Sequence, residues 1–524
     1  MWTRLTSWAG KYNYIYPIKI PEVRFAKEPG IILLDLPQRY MPMMPNGLGY
    51  VYNALKAAGV ECQVVDCNII FYHRYHSHRI LKGIEETIDP WDNTSTGEWD
   101  KPDTIEHFKP WIDEIINGLA EAQPRIIGVS SSGSNRIVAR EVIKGIRRTC
   151  PNSMVLVGGY DCMRHWLAPH LVTDYDYMLI GEADLSVAPL VKALLNGERP
   201  KDLPGILSED DSPNRAWRGG PMVCDLDSID FPRYEWTDIS LYRDYRGNYL
   251  IPIVTTRGCH WGRCRFCSEG FIEWRERSPS KIADEIEWFA GQGYRNFHIN
   301  DSDMNNNPAT LLKTCEQIIR RDLNISFIGQ ARVRKENGPE LFKHLRQAGC
   351  VHLRWGIDGW TDHVLRLQNK GYTMAMAEAS LRYCHEAGIR TTANMVIGIP
   401  GETEQDIEES VKNILRLKSY IDCMENINIL LLNAGSEYYN NPEKYGIHFY
   451  SNKEDVYKEH PYYIPHDQWY SDPSIDYEAR LRRLHYIHAV LVANGIEVGG
   501  FAKKRAEEIQ KGKGGQPGDW AEAA

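Results

Sequence analysis

The sequence predicts an α/β protein with a doubly wound, Rossmann-like N-terminal domain, a partial TIM-like (β/α)6 barrel and a small α-rich C-terminal region. Two observations carry this prediction. Apolar runs of strand length alternate with helical patterns in both halves of the chain, and most of these runs end in small or polar residues. The length of 524 residues also exceeds what one hydrophobic core ordinarily needs, which favours two principal domains.

Apolar runs mark the strands of the first domain. They read "GIILLDLP", "CQVVDCN", "RIIGVSSSG", "SMVLVGGY" and "YDYMLIGEAD", and start at residues 30, 62, 125, 153 and 175. Between them, segments such as "GYVYNALKAAGV" place apolar residues at helical spacing. This alternation predicts a parallel sheet, and ligands of such sheets bind outside the carboxyl ends of the strands. We therefore expect a ligand at the small residues that end these strands.

A second series of strands follows in the barrel region. It reads "YLIPIVTTRG", "NFHIND", "ISFIGQARV", "VHLRWGID", "TTANMVIGIPG" and "NINILLL", and starts at residues 249, 296, 325, 351, 391 and 426. In β/α barrels the chemistry lies at the carboxyl ends of the strands. The first strand of this series leads into "RGCHWGRCRFCSEGF" (257–271), so that loop is expected at the functional end.

Composition changes set the domain boundaries. A polar segment containing Trp and His interrupts the first domain and is interpreted as an insertion, and a stretch rich in Pro, Gly and Asp is interpreted as a linker. The predicted organisation is an N-terminal extension (1–29), a Rossmann-like domain (30–207) with an insertion (71–122), a linker (208–245), a barrel (246–433) and an aromatic-rich cap and tail (434–524). The last residues, "KGKGGQPGDWAEAA", are expected to form a loose tail.

Charge and hydropathy argue against some partners. The net charge is −9 and basic residues form no blocks, so nucleic acid is not the expected partner. The start of the chain has no apolar core of signal-peptide length and no stretch is long enough for a membrane span, which predicts a cytoplasmic protein without a membrane partner. The twelve cysteines are mostly dispersed, as expected for reduced and buried thiols.

Cys259, Cys264 and Cys267 form the one dense cysteine group. Thiolates at short spacing bind zinc or iron–sulfur clusters, but a structural zinc site needs a fourth ligand, and the nearby His260 is squeezed between the first two cysteines. A redox dithiol would leave Cys259 idle, and three unliganded thiols at a strand end would be open to oxidation. A cluster with three cysteine ligands leaves one iron open for a substrate or cofactor, and we favour that interpretation over these alternatives.

This loop resembles the cluster-binding loop of radical S-adenosylmethionine (SAM) enzymes, including Phe266 before the last cysteine. The resemblance implies a [4Fe-4S] cluster held by the three cysteines, with SAM chelating the fourth iron and cleaved to a 5'-deoxyadenosyl radical. The usual spacing has three residues between the first two cysteines, whereas "HWGR" places four there. We therefore predict a bulge between Cys259 and Cys264, with all three sulfurs still on one cluster.

Later segments resemble the SAM-binding strand ends of the same family. "HINDSDMN" is similar to the segment that meets the SAM amino group, "GQARV" to the one that meets the carboxylate, "GIDGW" to the one that meets the ribose and "NMVIGIPGET" to the one beside adenine. At the ribose position an aspartate replaces the usual glutamate. The residues implied are Asn300, Asp301, Ser302, Arg332, Asp358, Asn394, Val396, Ile397 and Gly398.

The first domain resembles the cobalamin-binding domain that precedes many radical SAM barrels, and the combined resemblance covers roughly residues 30–433. No G-x-G-x-x-G follows the first strand, which argues against a dinucleotide site. The chain also lacks D-x-H-x-x-G, and His165 and His170 are interpreted as helix positions, so cobalamin bound without a protein histidine is implied. The residues expected beside it are Ser130, Ser131, Ser132, Gly158, Gly159, Gly181 and Glu182.

Together the two resemblances imply a cobalamin-dependent radical SAM C-methyltransferase, in which methylcobalamin donates a methyl group to an unactivated carbon after hydrogen abstraction. The alternatives are a cobalamin-dependent cyclase or rearrangement enzyme without methyl transfer, a radical SAM enzyme whose first domain has lost cobalamin, and an iron–sulfur sensing module. A small-molecule or peptide substrate is expected, together with an electron donor such as flavodoxin or ferredoxin. No catalytic residue is assigned. Tyrosines after residue 434 are expected to pack or to cap the barrel mouth.

Overall fold

In the computed structural model the chain divides into two compact units, Met1–Pro252 and Ile253–Ala524. The structure describes residues 2–6, 13–17, 20–27, 29–82, 89–91, 98–209, 211, 219–244, 247–472 and 475–499. The predicted loose tail lies outside these residues. Among the helices that are described, none has both the length and the apolar character needed to cross a membrane.

The first unit is built on a six-stranded sheet with the order β4-β3-β5-β6-β7-β8. The strands of this sheet are β3 (Ile31–Asp35), β4 (Cys62–Asp66), β5 (Ile126–Ser130), β6 (Met154–Gly158), β7 (Tyr177–Leu179) and β8 (Ile206–Ser208). A separate antiparallel hairpin, β1 (Trp2–Thr6) and β2 (Asn13–Pro17), precedes them in the chain. The pairings from β4 to β7 are parallel and β8 joins β7 antiparallel. The strands predicted at residues 30, 62, 125, 153 and 175 are all present.

Helices connect these parallel strands. They are α1 (Asn46–Ala57), α2 (Cys67–Lys82), α3 (Pro102–Ala122), α4 (Arg136–Thr149), α5 (Ala168–Leu171) and α6 (Val187–Leu195). Buried side chains such as Leu33, Leu156 and Val191 form one core between the sheet and α1 and α6. Because parallel strands need crossover connections, the helices cover the sheet faces and direct the strand ends toward one edge. The doubly wound fold predicted for this unit is confirmed.

The segment predicted as an insertion (71–122) contains part of α2 and all of α3. Trp91, Trp99 and Phe108 are buried here, and the rings of Trp99 and Phe108 stack with centroids 4.5 Å apart. Aromatic rings bury large apolar areas, so the described part of this segment adds a packed aromatic cluster to the unit.

The second unit contains a six-stranded sheet with the order β16-β15-β14-β13-β12-β9, the open barrel that the sequence predicts. Its pairings from β12 to β16 are parallel. The strands of this sheet are β9 (Ile251–Ile253), β12 (Asn296–Ile299), β13 (Ser326–Ala331), β14 (Cys350–Asp358), β15 (Arg390–Ile397) and β16 (Cys423–Ile429). Two short strands, β10 (Thr256–Arg257) and β11 (Arg275–Glu276), pair with each other outside it. The short pair β10–β11 encloses the cysteine loop.

The barrel helices are α7 (Pro279–Gly291), α8 (Pro308–Arg320), α9 (Pro339–Gln347), α10 (Asp362–Leu367), α11 (Met374–Glu386) and α12 (Glu404–Arg416). Side chains before several of them accept hydrogen bonds from the first turn, as Ser278 does for α7 and Asn307 for α8. Such caps satisfy backbone N–H groups that have no partner within the helix. They fix where each helix begins after its strand-end loop.

In the part that the structure describes, the C-terminal region contains three helices, of which the last is the longest, together with short strands. It contains β17 (Leu432–Asn433), α13 (Glu437–Asn440), β18 (Ile447–Phe449), α14 (Lys453–Glu459), β19 (Tyr463–Ile464), β20 (Trp469–Ser471) and α15 (Tyr477–Ala493). Tyr438 and Trp469 are buried in its core, whereas Tyr463 is exposed, so the tyrosine-rich segment serves mainly in packing. Near the end of the described chain, Val498 pairs with Met424 along the edge of β16.

Candidate functional site

The three cysteines of the 257–271 loop lie together at the strand-end face of the barrel sheet. Cys267 N donates to the carbonyl of Cys264 over 3.1 Å, and Glu269 N donates to Cys267 Sγ over 3.5 Å. Burial raises the pKa of Cys267 to about 12, with smaller contributions from the charges of Cys264 and Cys259, so the three sulfurs are within electrostatic range of one another. Within the described ranges, no three His, Cys, Asp or Glu side chains are grouped to hold a single metal ion.

Trp261 lies within the four-residue gap between the first two cysteines. Its Nε1 donates to the carbonyl of Asn369 over 2.9 Å, and its ring covers Gly371, where an added Cβ would lie 2.1 Å from a ring carbon. The chain then continues through Gly262 at φ +54°, a conformation that favours glycine. The side chain of Trp261 is therefore anchored on the turn that follows α10.

Arg332, the residue predicted to meet the SAM carboxylate, lies against the cysteine loop. It is 8% exposed, its Nη1 donates to Cys264 Sγ over 3.8 Å, and its Nη2 donates to the carbonyl of Lys370. The guanidinium also lies 4.6 Å from the centre of the Trp261 ring and 5.3 Å from that of Tyr372. The cysteine loop, β13 and the turn around residue 370 meet at this one side chain.

Asp358 ends β14 and is paired with a cation. Lys370 Nζ lies 2.6 Å from Asp358 Oδ2, and both side chains are largely buried. Although burial opposes the charged amine, the carboxylate of Asp358 raises the pKa of Lys370. The sequence analysis assigned no role to this lysine. The signal that could have found it was a lysine twelve residues after the strand-end aspartate.

The three residues predicted after β12 differ in exposure. Asp301 is buried and accepts hydrogen bonds from Thr255 N over 2.9 Å and Thr256 N over 3.2 Å, as well as from the Thr255 hydroxyl. Burial raises its pKa to about 6, although these hydrogen bonds oppose the shift. Asn300 and Ser302 are exposed. The carboxylate of Asp301 is thus used to hold the chain that leads into the cysteine loop.

The segment predicted beside adenine ends β15. Asn394 and Val396 are partly exposed, whereas Ile397 faces the core. Gly398 has φ +75°, and a Cβ there would lie 2.8 Å from the side chain of Arg480. Its N–H donates to Glu402 over 2.7 Å. The chain therefore turns at Gly398, where the side chain of Arg480 from α15 leaves no room for a Cβ.

Sequence reasoning missed a polar network on the partly exposed face of β14 to β16. Arg354 donates twice to the carboxylate of Glu425, over 2.7 and 2.5 Å, and Thr392 donates to the same carboxylate over 2.8 Å. His352 lies 2.9 Å from the Thr392 hydroxyl, and burial lowers its pKa to about 4. The alternation of polar and apolar residues in "VHLRWGID" was the available signal, because alternate residues of a strand face the same side.

In the first unit, Ser131 and Gly159 lie where β5 and β6 end. Ser131 is fully buried, its hydroxyl donates to Asp161 over 2.7 Å, and its N–H donates to the carbonyl of Gly158 over 2.8 Å. Gly159 has φ +102°, and a Cβ there would lie 2.5 Å from the carbonyl oxygen of Ser131. Asp161 is held in turn by Arg136. These contacts pack the two strand-end loops closely together.

The other residues predicted at this edge are partly exposed: Ser130, Ser132, Gly158, Gly181 and Glu182. Gly181 has φ +76° with open space where a side chain would be. Three large aromatic side chains in the loops after β3 and β6 are exposed at 39, 44 and 51%: Tyr40, Tyr160 and Trp166. The edge thus combines surface without side chains and exposed aromatic rings. His170 lies in α5 as predicted, whereas His165 lies in the turn before it and not in a helix.

A charged cluster at the ends of β3 and β4 was also missed. Asp35 and Asp66 lie opposite each other in the sheet, and Arg39 contacts both, at 2.8 and 3.2 Å. The hydroxyl of Tyr242 donates to Asp66 over 2.7 Å. Burial raises the pKa of Asp35 to about 7, against the opposing charge of Arg39. The signal was an aspartate at the end of each of two neighbouring strand patterns.

Comparison with known proteins finds a matching family model and several relatives of this chain. Residues 253–414 match the model of the Radical SAM superfamily. The anaerobic magnesium-protoporphyrin IX monomethyl ester cyclase of Cereibacter sphaeroides is 28% identical over 318 residues, which cover 57% of this chain and 50% of that protein. The tryptophan 2-C-methyltransferase of Streptomyces laurentii is 23% identical over 474 residues, covering 75 and 71% of the two chains. The chain spans 50 and 63% of the length of two matched cyclases.

Two solved structures share the fold over most of the chain. The radical SAM methyltransferase TsrM from Kitasatospora setae, with cobalamin and a [4Fe-4S] cluster bound, has a TM-score of 0.64 at 19% identity and covers 90% of each chain. The cobalamin-dependent SAM radical enzyme OxsB, with aqua-cobalamin and SAM bound, has a TM-score of 0.66 at 15% identity and covers 93 and 71%. Residues 253–414 are therefore a radical SAM domain, and the chain as a whole shares its fold with TsrM and OxsB.

Proposed function

We propose that this protein is a cobalamin-dependent radical SAM C-methyltransferase. The observation that carries the proposal is that one chain combines a three-cysteine loop at the strand ends of a radical SAM barrel with a doubly wound unit whose carboxyl edge is lined by small residues. Similarity to the tryptophan 2-C-methyltransferase, which covers three quarters of this chain, supports methyl transfer in particular.

The cysteine loop fits a [4Fe-4S] cluster. Cys259, Cys264 and Cys267 would hold three irons, and the cationic side chain of Arg332 lies against Cys264, where it offsets the negative charge of the thiolates. When bound, the cluster supplies the electron that cleaves SAM. That electron must come from a donor protein, for which we propose a flavodoxin or ferredoxin.

At the strand ends, some residues would contact SAM and others would position the residues around it. Asn300 and Ser302 are exposed and available to the amino group, while Asp358 keeps Oδ1 for a ribose hydroxyl as Lys370 holds Oδ2. Asn394, Val396, Ile397 and Gly398 would line the adenine side. We assign positioning roles to Asp301 and Arg332, because the carboxylate of Asp301 already holds Thr255 and Thr256 and the guanidinium of Arg332 already holds the cysteine loop.

The edge of the first unit fits cobalamin through shape. Ser130, Ser132, Gly158, Gly181 and Glu182 leave backbone groups within reach of a large ring system, and Gly159 and Ser131 keep the loops packed beneath them. Exposed aromatic rings at the same edge offer apolar contact area. The cofactor supplies a methyl-carrying cobalt, and this chain would supply no histidine ligand to it.

A cyclase or rearrangement reaction without methyl transfer is the second candidate. It is favoured by one observation: the protoporphyrin ester cyclases share higher identity with this chain than the tryptophan methyltransferase does, 28 against 23%, although over fewer residues. Both candidates use the same cofactors, so the reaction outcome has to distinguish them. The substrate is proposed to be a small molecule or a peptide.

The deciding experiment uses the full chain, purified without oxygen, reconstituted with iron and sulfide and supplied with cobalamin, a chemical reductant and SAM labelled in its methyl group. We expect retained corrinoid, deoxyadenosine formation and labelled methyl on the corrinoid. Deoxyadenosine formation with retained but unlabelled corrinoid would favour the cyclase. A chain that retains no corrinoid would contradict both. The Cys264→Ser variant is the control, because it should form no deoxyadenosine.

A further inference from the structure

We propose that Trp261, in the extra-long gap between the first two cysteines, is a positioning residue that holds Arg332 against Cys264 and thereby raises the reduction potential of the cluster. The inference rests on the cluster proposed above. It goes further by giving a role to the four-residue gap, which departs from the usual family spacing.

Trp261 is anchored by contacts other than the one with Arg332. Its indole N–H donates to the carbonyl of Asn369, and the side chain of Asn369 donates to the carbonyl of Arg263 over 2.9 Å. The ring also fills the space above Gly371, which a side chain at that position would occupy. Two hydrogen bonds and one close contact therefore fix the indole on the turn around residue 370.

Arg332 is held between this indole and the sulfur. Asn305 accepts from its backbone N–H over 2.9 Å, Lys370 accepts from Nη2, and the guanidinium stacks 4.6 Å from the centre of the indole ring. Its remaining terminal nitrogen faces Cys264 Sγ at 3.8 Å. Cation–π stacking favours a planar guanidinium at this distance, so the indole restricts the rotamers of Arg332.

The charges around the loop make Arg332 the influential cation. Lys370 is neutralised by Asp358 at 2.6 Å, whereas Arg332 forms no ion pair with a carboxylate anywhere in the described part of the chain. Hydrogen bonds to the sulfurs and the net charge nearby set the potential of an iron–sulfur cluster. A fixed cation stabilises the reduced cluster, which carries one more negative charge, so loosening Arg332 lowers the potential.

The test is an EPR-monitored redox titration of the reconstituted full chain without SAM, with iron content and visible absorption measured in parallel. We expect Trp261→Ala to shift the potential to a more negative value at unchanged iron content, and Arg332→Met to shift it in the same direction. The double variant should shift little further than Arg332→Met alone, because both changes remove the same contact. His260→Ala, in the neighbouring exposed position of the loop, should leave the potential unchanged.

A second variant keeps the inference testable if Trp261→Ala fails to hold a cluster. Gly371→Ala places a Cβ against the indole and should displace it, with the same negative shift. Gly388→Ala is its matched control, because Gly388 has nearly the same φ, +73° against +72°, with the nearest atom 3.9 Å away. Wild-type potentials in Trp261→Ala or in Gly371→Ala, with the cluster intact, would overturn the inference. Absence of a cluster in the unaltered chain would instead overturn the proposed function.

Discussion

The strand ends of the barrel and those of the first unit use different means to prepare a binding surface. At the barrel end, charged side chains are held in place: Lys370 by Asp358, and Arg332 by the carbonyl of Lys370 and the indole of Trp261. At the edge of the first unit, Gly159 and Ser131 pack backbone against backbone, and Gly181 faces open space. The first surface suits a compact, charged group, and the second suits a large group that needs close approach over a wide area.

The largest effect is expected at the barrel end. Cys264→Ser should abolish both the visible absorption of the cluster and deoxyadenosine formation, because the cluster loses a ligand and the sulfur that faces Arg332. The matched control is Cys224→Ser, which alters an exposed cysteine in the first unit. Iron analysis and product chromatography check the result, and a serine variant with full iron content would contradict it.

The next prediction tests how much the buried Asp358–Lys370 ion pair contributes to stability and to SAM binding. Asp358→Ala leaves Lys370 buried without its partner, and we expect the free energy of unfolding to fall by about 3–5 kcal/mol. SAM binding should weaken in the same variant, as measured by equilibrium dialysis. Glu378→Ala is the control, since its pair with Arg416 is exposed at 38 and 50% and should contribute little. Equal losses in the two variants would show that burial of the pair does not matter.

A smaller effect is expected where backbones meet in the first unit. Gly159→Ala combines an unfavourable φ with a clash against the Ser131 carbonyl, so we expect about 2 kcal/mol of destabilisation and weaker cobalamin retention. Gly197→Ala is matched in φ, +82°, but has open space around the added Cβ, so it should cost about 1 kcal/mol and leave retention unchanged. Denaturant unfolding and corrinoid absorption after gel filtration measure the two quantities. Equal retention in both variants would argue against a ligand at this edge.

The last prediction concerns pH and the Asp35–Arg39–Asp66 cluster of the first unit, and the expected change in stability within any one pH unit is small. The pKa of Asp35 rises from 3.8 to about 7 on folding, mainly through burial, with Asp66 adding to the rise and Arg39 opposing it. The folded state therefore retains a proton that the unfolded state has lost, and stability should fall as pH rises between these values and level off above them. The slope is at most about 1.4 kcal/mol per pH unit.

The Asp35→Asn variant isolates this slope, because it removes the titrating group and keeps the shape of the side chain. Denaturant unfolding of both chains at several pH values gives the difference curve. Parallel curves between pH 4 and 7 would show that Asp35 ionises normally. Three other ionisable groups lie in this cluster: Arg39, Asp66 and Tyr242. The conclusion therefore rests on the difference between the variant and the wild type, and not on the wild-type curve alone.

Local periodicity was sufficient to predict both sheets. Strands such as Ile31–Asp35 and Cys350–Asp358 are apolar or alternating runs, and the parallel order follows from the helices between them. The helical character of the C-terminal region was predicted, but its short strands were not, because strands such as Trp469–Ser471 are held by partners distant in the chain and an aromatic-rich run does not indicate them. Extended segments of two or three residues carry too little pattern to be recognised.

The partners of the site side chains could not be predicted. The resemblance placed Asp301 and Arg332 near the cysteine loop, but their hydrogen bonds to Thr255 and Cys264 depend on how separate strands come together. Trp261 reaches a carbonyl 108 residues later in the chain, and its spacing gives no hint of that contact. Sequence indicates which residue types end each strand, whereas the pairing among them is settled only by tertiary packing.

The pairing of Val498 with Met424 has a consequence for how the protein is made. Until residue 498 has left the ribosome, the backbone groups of Met424 on the outer side of β16 lack these partners, and unpaired groups at a strand edge are a template for joining another chain. Nascent chains and fragments that stop after the barrel strands therefore share one hazard, association edge to edge. Expression of the isolated barrel would benefit from retaining the chain through residue 499, so that residues 497–499 occupy that edge at Met424.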